Sequence, residues 1–484
     1  MLLSTRHLRR SGTRGAALSL ALAGCPCTAV SDANASLQTT PHTLALAPNL
    51  APHPQSQSAS APKDSDFYTR AGREQRSKHY RILSDLSHEE TKTYASHLDL
   101  FYEEYARRFA HLPQQAPEVP FVLMFSRERD YLDVLRNTYA INATGSGGMF
   151  FMSPRGAALA FFVESLPRTR VFHVIQHEGF HQYAFSRFTN TLPMWVNEGL
   201  AEFFGEAVVV DGRVILAQAS PGPVESIKRA IERDATVDFL RLLRMTPDEW
   251  NANVASGNAA IQYMQSWSMI QFLGTAEGGR YQQRFEGYLK LIHAGMPSER
   301  AFVQAFGTND IASFENTWKE WAKSMQPTAF GTAAMRLTFL AEGLRALSRD
   351  GVATDSIDDL MAKLRQRDFT IEVSVHGRTQ VLRADDTILD IPQDPLAKTK
   401  PVFDFIPAKP SRQTKKDQRL EELHPTPGVI HTRGLAPREL VLRWTRNKAG
   451  DDFDYDLLSP KEAPAPPSSK APKDPKGPKS TNPK

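Results

Sequence analysis

Two histidines four residues apart, followed by a glutamate seventeen residues later, constrain this chain more than any other feature of its sequence. The segment VFHVIQHEGFHQYAFSRFTNTLPMWVNEGLAEFFGE carries His177, Glu178 and His181 in its first half and Glu198 in its second. Residues four apart lie on one face of an α-helix, so both imidazoles can point at one ion. A turn containing Pro193 lets the chain reverse. The spacing therefore predicts two neighbouring antiparallel helices that bring Glu198 back towards the histidines.

These side chains are of the types that a catalytic zinc site uses. Zinc is bound by imidazole nitrogens and carboxylate oxygens, usually in a tetrahedron. A glutamate that directly follows the first histidine can accept a proton from a water that the ion activates. Glu202 lies one turn after Glu198 and can hydrogen-bond the outer nitrogen of a ligand histidine. The alternatives are two ordinary core or surface histidines, and for Glu202 a solvated charge on a helix face.

HEGFH followed by WVNEGLAEFF resembles the gluzincin clan of zinc metallopeptidases, whose second motif reads Asn-Glu-Gly with aromatic residues around it. The chain is most similar to a bacterial family of uncharacterised gluzincin-like domains that are often exported. The resemblance implies a Zn²⁺ cofactor with His177, His181 and Glu198 as ligands. It implies Glu178 as the catalytic base and Glu202 as the carboxylate that orients a ligand histidine. The implied activity is hydrolysis of peptide bonds in a peptide or protein substrate.

One departure from the clan bears on the substrate. In the aminopeptidase branch, an upstream Gly-x-Met-Glu-Asn string supplies a glutamate that holds the free amine of the substrate. The comparable string here is Gly147-Gly148-Met149-Phe150-Phe151, in which two phenylalanines replace the acid and the amide. This difference argues against an amine-anchoring aminopeptidase. The strand is either an edge that pairs with an extended peptide or an ordinary sheet strand.

The clan also uses a tyrosine or a histidine to stabilise the oxyanion. The candidate is Tyr263, on a predicted helix after the second motif, and the alternative is a core or surface aromatic residue. His173, one turn before His177, is interpreted as a neighbour of the site, because the ligand set is complete without it.

Two other functions stay open at this level. The chain could be a degenerate gluzincin that keeps its metal and binds peptide or cell-envelope partners. It could also be a tethered scaffold that works through its C-terminal region. Nucleic acid is not an expected partner, because the formal net charge is only +4 and no concentrated basic surface is evident.

Hydrophobic periodicity predicts an α+β fold in which strands and helices come first, a mostly helical segment follows, and a small β-rich domain lies at the C-terminal end. The gluzincin resemblance implies that the first two parts form a thermolysin-like catalytic domain with a mixed sheet, the HExxH helix and a helical subdomain. The predicted segments are 1–27 signal peptide, 28–77 disordered linker, 78–325 metallopeptidase domain, 330–367 helical connector, 368–458 small β domain and 459–484 disordered Lys/Pro-rich tail.

The N-terminus predicts export to the periplasm or cell surface. Four arginines without an acidic residue precede a short apolar run, which is typical of a secretory signal. Leu22-Ala23-Gly24-Cys25 resembles the bacterial lipoprotein box, in which the cysteine is lipidated and anchors the protein to a membrane. An ordinary signal peptide that is cleaved nearby is the alternative. The chain has only two cysteines, Cys25 and Cys27, so a cysteine-ligated zinc site is excluded for its body.

Overall fold

The structure is a computed structural model that describes residues 66–112, 119–153, 156–188, 192–256, 259–375, 378–394, 397–408 and 414–460. The predicted signal peptide, the lipidation motif and most of the predicted linker lie outside the described residues, as does the tail from residue 461 onward. Among the described helices, none has both the length and the hydropathy that crossing a lipid bilayer requires.

The first part of the chain forms a mixed five-stranded sheet with helices on both faces. Its elements are α1 Asp66–Ala71, β1 Gln75–Arg76, β2 Arg81–Ser84, α2 His88–Arg108, β3 Phe121–Phe125, α3 Glu128–Tyr139, β4 Gly148–Ser153 and β5 Gly156–Phe162. The strand order is β1-β2-β3-β5-β4, with β2, β3 and β5 parallel and the two outer strands antiparallel. The predicted mixed sheet is confirmed, and β4 is one of its edges.

The apolar run FVLMF of β3 reflects burial on both faces of the sheet. Leu123 and Phe125 lie in the core beneath α1 and α3, whereas Val122 and Met124 lie in the core beneath α2. The second of these cores also receives the helix that carries the two histidines. The sheet therefore supplies the floor on which that helix lies.

Ordered structure begins earlier than the sequence predicts. The polar composition predicts a linker up to residue 77, but α1 begins at Asp66. Phe67 is fully buried, and its ring centroid lies 4.1 Å from that of Phe125. Arg70 reaches the buried Asp85 carboxylate at 2.7 Å. This six-residue helix is thus held by a buried aromatic side chain and by the ion pairs of Arg70 with Asp85 and Asp130, which a composition argument overlooks.

The middle of the chain is helical, as predicted, apart from one hairpin. Its elements are α4 Arg168–Phe188, α5 Met194–Gly205, β6 Val208–Val210, β7 Arg213–Ile215, α6 Pro221–Glu232, α7 Phe239–Arg244, α8 Pro247–Ala255, α9 Ala259–Thr275, α10 Gln282–His293, α11 Ser298–Phe306 and α12 Ile311–Ser324. The aromatic residues of α9 to α12, including Trp267, Phe285 and Trp318, lie in one large core with those of α5. Their periodic spacing is thus explained by packing.

The C-terminal region combines helices and strands in one core. Its elements are α13 Ala329–Arg349, α14 Ile357–Gln366, β8 Thr370–Val375, β9 Arg378–Arg383, β10 Val402–Ile406, α15 Lys415–Leu423, β11 Val429–Arg433, β12 Val441–Arg446 and β13 Phe453–Leu458. The predicted β-rich character of this region is confirmed, and two of its strand pairs, β8–β9 and β12–β13, are hairpins of neighbouring strands. Leu340 of α13 and Leu364 of α14 share a core with Ile430 and Leu442 of the sheet. The predicted connector and the predicted β domain therefore form one unit.

The hairpin β6–β7 joins the two halves of the molecule. Val210, at the end of β6, is fully buried in the C-terminal core. Asp211 next to it accepts a hydrogen bond from the Ser459 N–H at 3.1 Å. At the start of α4, Arg168 donates to the Tyr455 carbonyl oxygen at 3.0 Å. Both helices of the predicted site are thus connected to the C-terminal region.

Candidate metal centre

Helices α4 and α5 lie at the centre of the protein. α4 begins directly after Pro167, whose carbonyl accepts hydrogen bonds from the Arg170 and Val171 N–H groups. Most positions of α4 and nearly all of α5 are buried. A helix that is enclosed on all sides is held by its surroundings rather than by one amphipathic face. The site is therefore built on rigid elements.

Small residues set the close packing of the two helices. A Cβ atom at Gly205 would lie 2.7 Å from the His173 ring, so only glycine allows the two to touch. Gln176 donates from its amide to the Phe204 and Ala207 carbonyl oxygens, at 2.8 and 3.1 Å. These contacts hold the C-terminal end of α5 against the middle of α4. His173 is a packing neighbour of the site, as the sequence suggested.

A third helix fixes α5 from the other side. A Cβ atom at Gly199 would lie 2.6 Å from the Ser266 carbonyl oxygen of α9. Gly199 directly follows Glu198, so the backbone contact between α5 and α9 occurs at the predicted ligand. This contact explains in physical terms why glycine stands next to the glutamate in the second motif.

The structure brings the three predicted ligands together. The Nε2 atoms of His177 and His181 are 2.9 Å apart, and Glu198 Oε2 lies 3.7 Å from the first and 3.4 Å from the second. All three ligand atoms lie within 4.8 Å of one another. The prediction that two imidazoles and one carboxylate converge from two helices is confirmed. The three residues form a candidate metal-binding triad.

The dimensions of the triad fit a small tetrahedral ion. Zinc bonds of ~2.0–2.1 Å place neighbouring donor atoms of a tetrahedron roughly 3.3 Å apart. The observed separations of 2.9, 3.4 and 3.7 Å lie on both sides of that value. The His177 side chain is fully buried, whereas that of His181 is 11% exposed. His181 is thus the most exposed of the three ligands.

The carboxylates of the site favour positive charge at the triad. Burial alone would lower the pKa of His181, but Glu198, with smaller contributions from Glu178 and Asn197, raises it to about 9. The same negative field favours a bound divalent cation. Because a metal ligand must give up its proton, a cation would displace the one that His181 holds.

Glu178 lies beside the triad and is held by the edge strand. Its Oε1 atom is 3.8 Å from His177 Nε2, and its Oε2 atom accepts the Phe150 N–H of β4 at 2.7 Å. This contact depends on Gly148, where a Cβ atom would lie 2.5 Å from the Val174 side chain of α4. A side chain at that position would push β4 away from α4. The sequence predicts Glu178 as a base but does not reveal the backbone group that holds it.

A ligand-orienting contact that the sequence did not predict comes from Asn197. Its Oδ1 atom lies 3.2 Å from His181 Nδ1, so a proton on Nδ1 leaves Nε2 facing the triad. The asparagine precedes Glu198 in the second motif, and that position is the signal that could have identified it. Glu202, predicted for a similar task, is fully buried one turn after Glu198. A solvated charge is therefore excluded for Glu202, and its orienting role stays a prediction.

Tyr263 lies on α9 and is only 2% exposed. Its ring packs edge-on against Trp250 of α8, with the centroids 5.1 Å apart. This packing agrees with the alternative of a core aromatic residue. The oxyanion role of Tyr263 stays a prediction.

The candidate metal centre lies within a segment that matches a known family model. Residues 172–289, about a quarter of the chain, match a family model described as a protein of unknown function (DUF1570). The match begins within α4 and ends within α10, so it contains the triad, Glu178 and Tyr263. No curated protein matches the chain.

Proposed function

We propose that this protein is a zinc-dependent peptidase of the gluzincin type, with His177, His181 and Glu198 as the metal ligands. The observation that carries the proposal is the convergence of these three donor atoms within 4.8 Å, with a fourth residue, Glu178, directly beside them. Core or surface histidines would not explain two facing imidazoles and an adjacent pair of buried carboxylates. The succession of a mixed sheet, the helix that carries His177 and His181, and further helices supports the proposal.

The donor set favours zinc over other common cations. Two imidazole nitrogens and one carboxylate oxygen suit Zn²⁺, whereas Ca²⁺ and Mg²⁺ prefer all-oxygen surroundings. Three protein ligands leave one position of a tetrahedron for water or substrate, as in catalytic rather than structural zinc sites. A bound zinc ion would act as a Lewis acid and would make water nucleophilic at neutral pH.

Glu178 performs the proton transfers in this proposal. Its Oε2 atom is held by the Phe150 N–H, and its Oε1 atom lies beside the triad, 3.8 Å from His177 Nε2. Glu178 accepts a proton from the attacking water and passes it to the departing amine nitrogen. Asn197 keeps the His181 ring in the orientation that binds metal.

The edge strand β4 would align the substrate. Phe150 directs its N–H away from β5, towards Glu178. Backbone groups alternate along a strand, so the N–H groups of Gly148 and Met152 point to the same side. An extended peptide can pair with such an edge and place its carbonyl carbon near the triad. We place the reaction outside the cytoplasm, on the basis of the N-terminal signal sequence.

The test is zinc analysis paired with cleavage of a peptide library, with and without a chelator. We expect about one zinc per chain and chelator-sensitive cleavage. Glu178→Gln should keep the zinc and reduce hydrolysis by about 10³-fold, since general-base catalysis contributes ~10²–10⁴-fold. Glu286→Gln on α10 is the matched control and should behave as wild type. A protein that binds zinc but cleaves no library peptide would instead support the degenerate, peptide-binding alternative.

A further inference from the structure

Two phenylalanines lie beside the triad and take no part in the proton transfers. Phe150 follows Gly148 and Met149 on β4, and Phe185 lies one turn after His181 on α4. Their ring centroids are 5.7 Å apart, with an angle of 45° between the ring planes. We call these two residues the aromatic pair.

The aromatic pair lies where the site opens. Both rings are half-exposed, as are His181 and Asn197, whereas His177, Glu178 and Glu198 are buried. The Phe150 backbone touches Glu178, so its side chain leaves the strand within a few ångströms of the base. Towards Gly148 the same face of β4 is closed by the Val174 side chain. An occupant of this face therefore meets the two rings.

The chemistry of the pair defines what it would bind. Side chains of a strand alternate between the faces of a sheet, so a peptide aligned along β4 sends every second side chain to the face that Phe150 occupies. A large apolar side chain would remove both rings from water, and aromatic partners add a favourable ring contact. An acidic side chain would meet only apolar surface there, next to buried carboxylates.

We propose that the aromatic pair of Phe150 and Phe185 selects substrates with a large apolar side chain close to the bond that is cleaved. This inference rests on the proposed peptidase function and names its substrate class. It also gives a role to the two apolar rings that lie beside the candidate metal centre.

The test measures binding without turnover. Zinc-loaded Glu178→Gln protein is titrated calorimetrically with end-blocked peptides of sequence Ala-Ala-X-Ala-Ala, in which X is Phe, Leu, Ala, Lys or Asp. We expect the Phe and Leu peptides to bind about tenfold more tightly than the Ala peptide. Phe150→Ala and Phe185→Ala, each in the Glu178→Gln background, should reduce this ratio to below about threefold.

Controls separate selection from stability. Phe405→Ala, at a half-exposed phenylalanine on β10 of the C-terminal sheet, should leave the ratio unchanged. Phe185→Leu keeps most of the apolar volume and should keep the preference for Leu. Zinc content and the thermal midpoint are measured for every variant, and if Phe150→Ala loses its zinc, the two Phe185 variants decide the outcome.

The outcomes distinguish the two proposals. Tighter binding of the Lys or Asp peptide, equal binding of all peptides, or no binding at all would overturn the role of the aromatic pair. The wild-type enzyme is then given the same peptides. Retained binding preference without cleavage would overturn the peptidase proposal alone, and cleavage without preference would overturn the substrate class alone.

Discussion

The acidic side chains of the C-terminal region and those of the α4–α5 pair differ in the kind of partner that they have. In the C-terminal region, Arg345 donates to both oxygens of Asp452, at 2.9 and 2.6 Å, and Arg349 adds a third bond at 3.0 Å. Glu342 accepts a hydrogen bond from the Tyr455 hydroxyl at 3.0 Å. Both of these acids have a partner that keeps its hydrogen at every physiological pH.

In the α4–α5 pair, the acids face histidines instead. Across the described part of the chain, the ion pairs of Glu198 are with His177 and His181 and with no lysine or arginine. A histidine can release its proton, whereas an arginine cannot. The arginine-paired charges in the C-terminal region therefore serve the fold, whereas the carboxylate of the triad faces groups that can release a proton, as the proposed metal site requires.

We expect the largest effect for Glu198→Gln, which removes the charge that faces the two histidines. Zinc affinity should fall by more than about 100-fold, because a ligand loss exceeds the ~10–100-fold effect of losing a neighbouring contact. The free energy of unfolding in chelator should fall by less than the ~3–5 kcal/mol that a buried charge without its partner costs, since His181 can give up its proton. Zinc titration and urea unfolding measure the two quantities, with Glu286→Gln as control. A loss of several kcal/mol without metal would place Glu198 among the structural acids.

A second test concerns a histidine that is neutral because it is buried. Burial, with a smaller contribution from the nearby Arg168 charge, lowers the pKa of His97 to about 3, and its ring stacks on Phe172 of α4. Between pH 6.5 and pH 3 the unfolded chain binds a proton that the folded chain does not, so stability falls as the pH drops. We expect a loss of about 2 kcal/mol at pH 5. His97→Phe should remove that loss in urea unfolding at pH 7 and pH 5, whereas substitution of the exposed His88 should not.

The third prediction tests the paired charges directly. Asp452→Asn should lower the free energy of unfolding at pH 7 by about 1.5 kcal/mol, because the charged Arg345 would lose its anionic partner. The effect is limited because both side chains are partly exposed to water. Burial alone would raise the pKa of Asp452, but the Arg345 hydrogen bonds outweigh it and the pKa is lowered. The stabilisation is therefore present above the ordinary aspartate value of about 3.9 and is lost as the pH falls through the folded value. Zinc content should not change, and a variant that lost zinc would show that the two regions are not independent.

The smallest effect is expected at Tyr263. Its ring is buried against Trp250. If Tyr263 serves only this packing, Tyr263→Phe should reduce kcat by less than about threefold. Removal of a true oxyanion donor would reduce kcat by about 10²–10³-fold. Steady-state kinetics with one library peptide decides between these values, and the larger loss would extend the catalytic machinery to α9.

The triad could be predicted from the sequence because its geometry is local. Helical periodicity places His177 and His181 on one face, and a short reversal returns Glu198 to them. The contacts of Phe150 with Glu178 and of Asn197 with His181 depend on how elements pack. Periodicity does not report the close approach of β4 to α4 that the first contact requires.

In the fold, too, local features could be predicted from the sequence, whereas long-range contacts could not. The hairpins β8–β9 and β12–β13 were predictable, since each joins neighbours in sequence. The pairing of β10 with β11 was not, because α15 separates the two strands along the chain. The short helix α1 was missed because one buried phenylalanine holds it. Long-range pairing and isolated anchors leave little periodic signal.

The hairpin that follows α5 has a practical consequence for anyone who wishes to produce a shorter protein. Val210 is covered only when residues 329–458 are there to receive it. A truncation at residue 325 would expose this valine and the apolar face of its hairpin to water, directly downstream of the helix that carries Glu198. A shorter protein that keeps this hairpin covered therefore has to include the C-terminal region, even though the candidate triad lies on two helices.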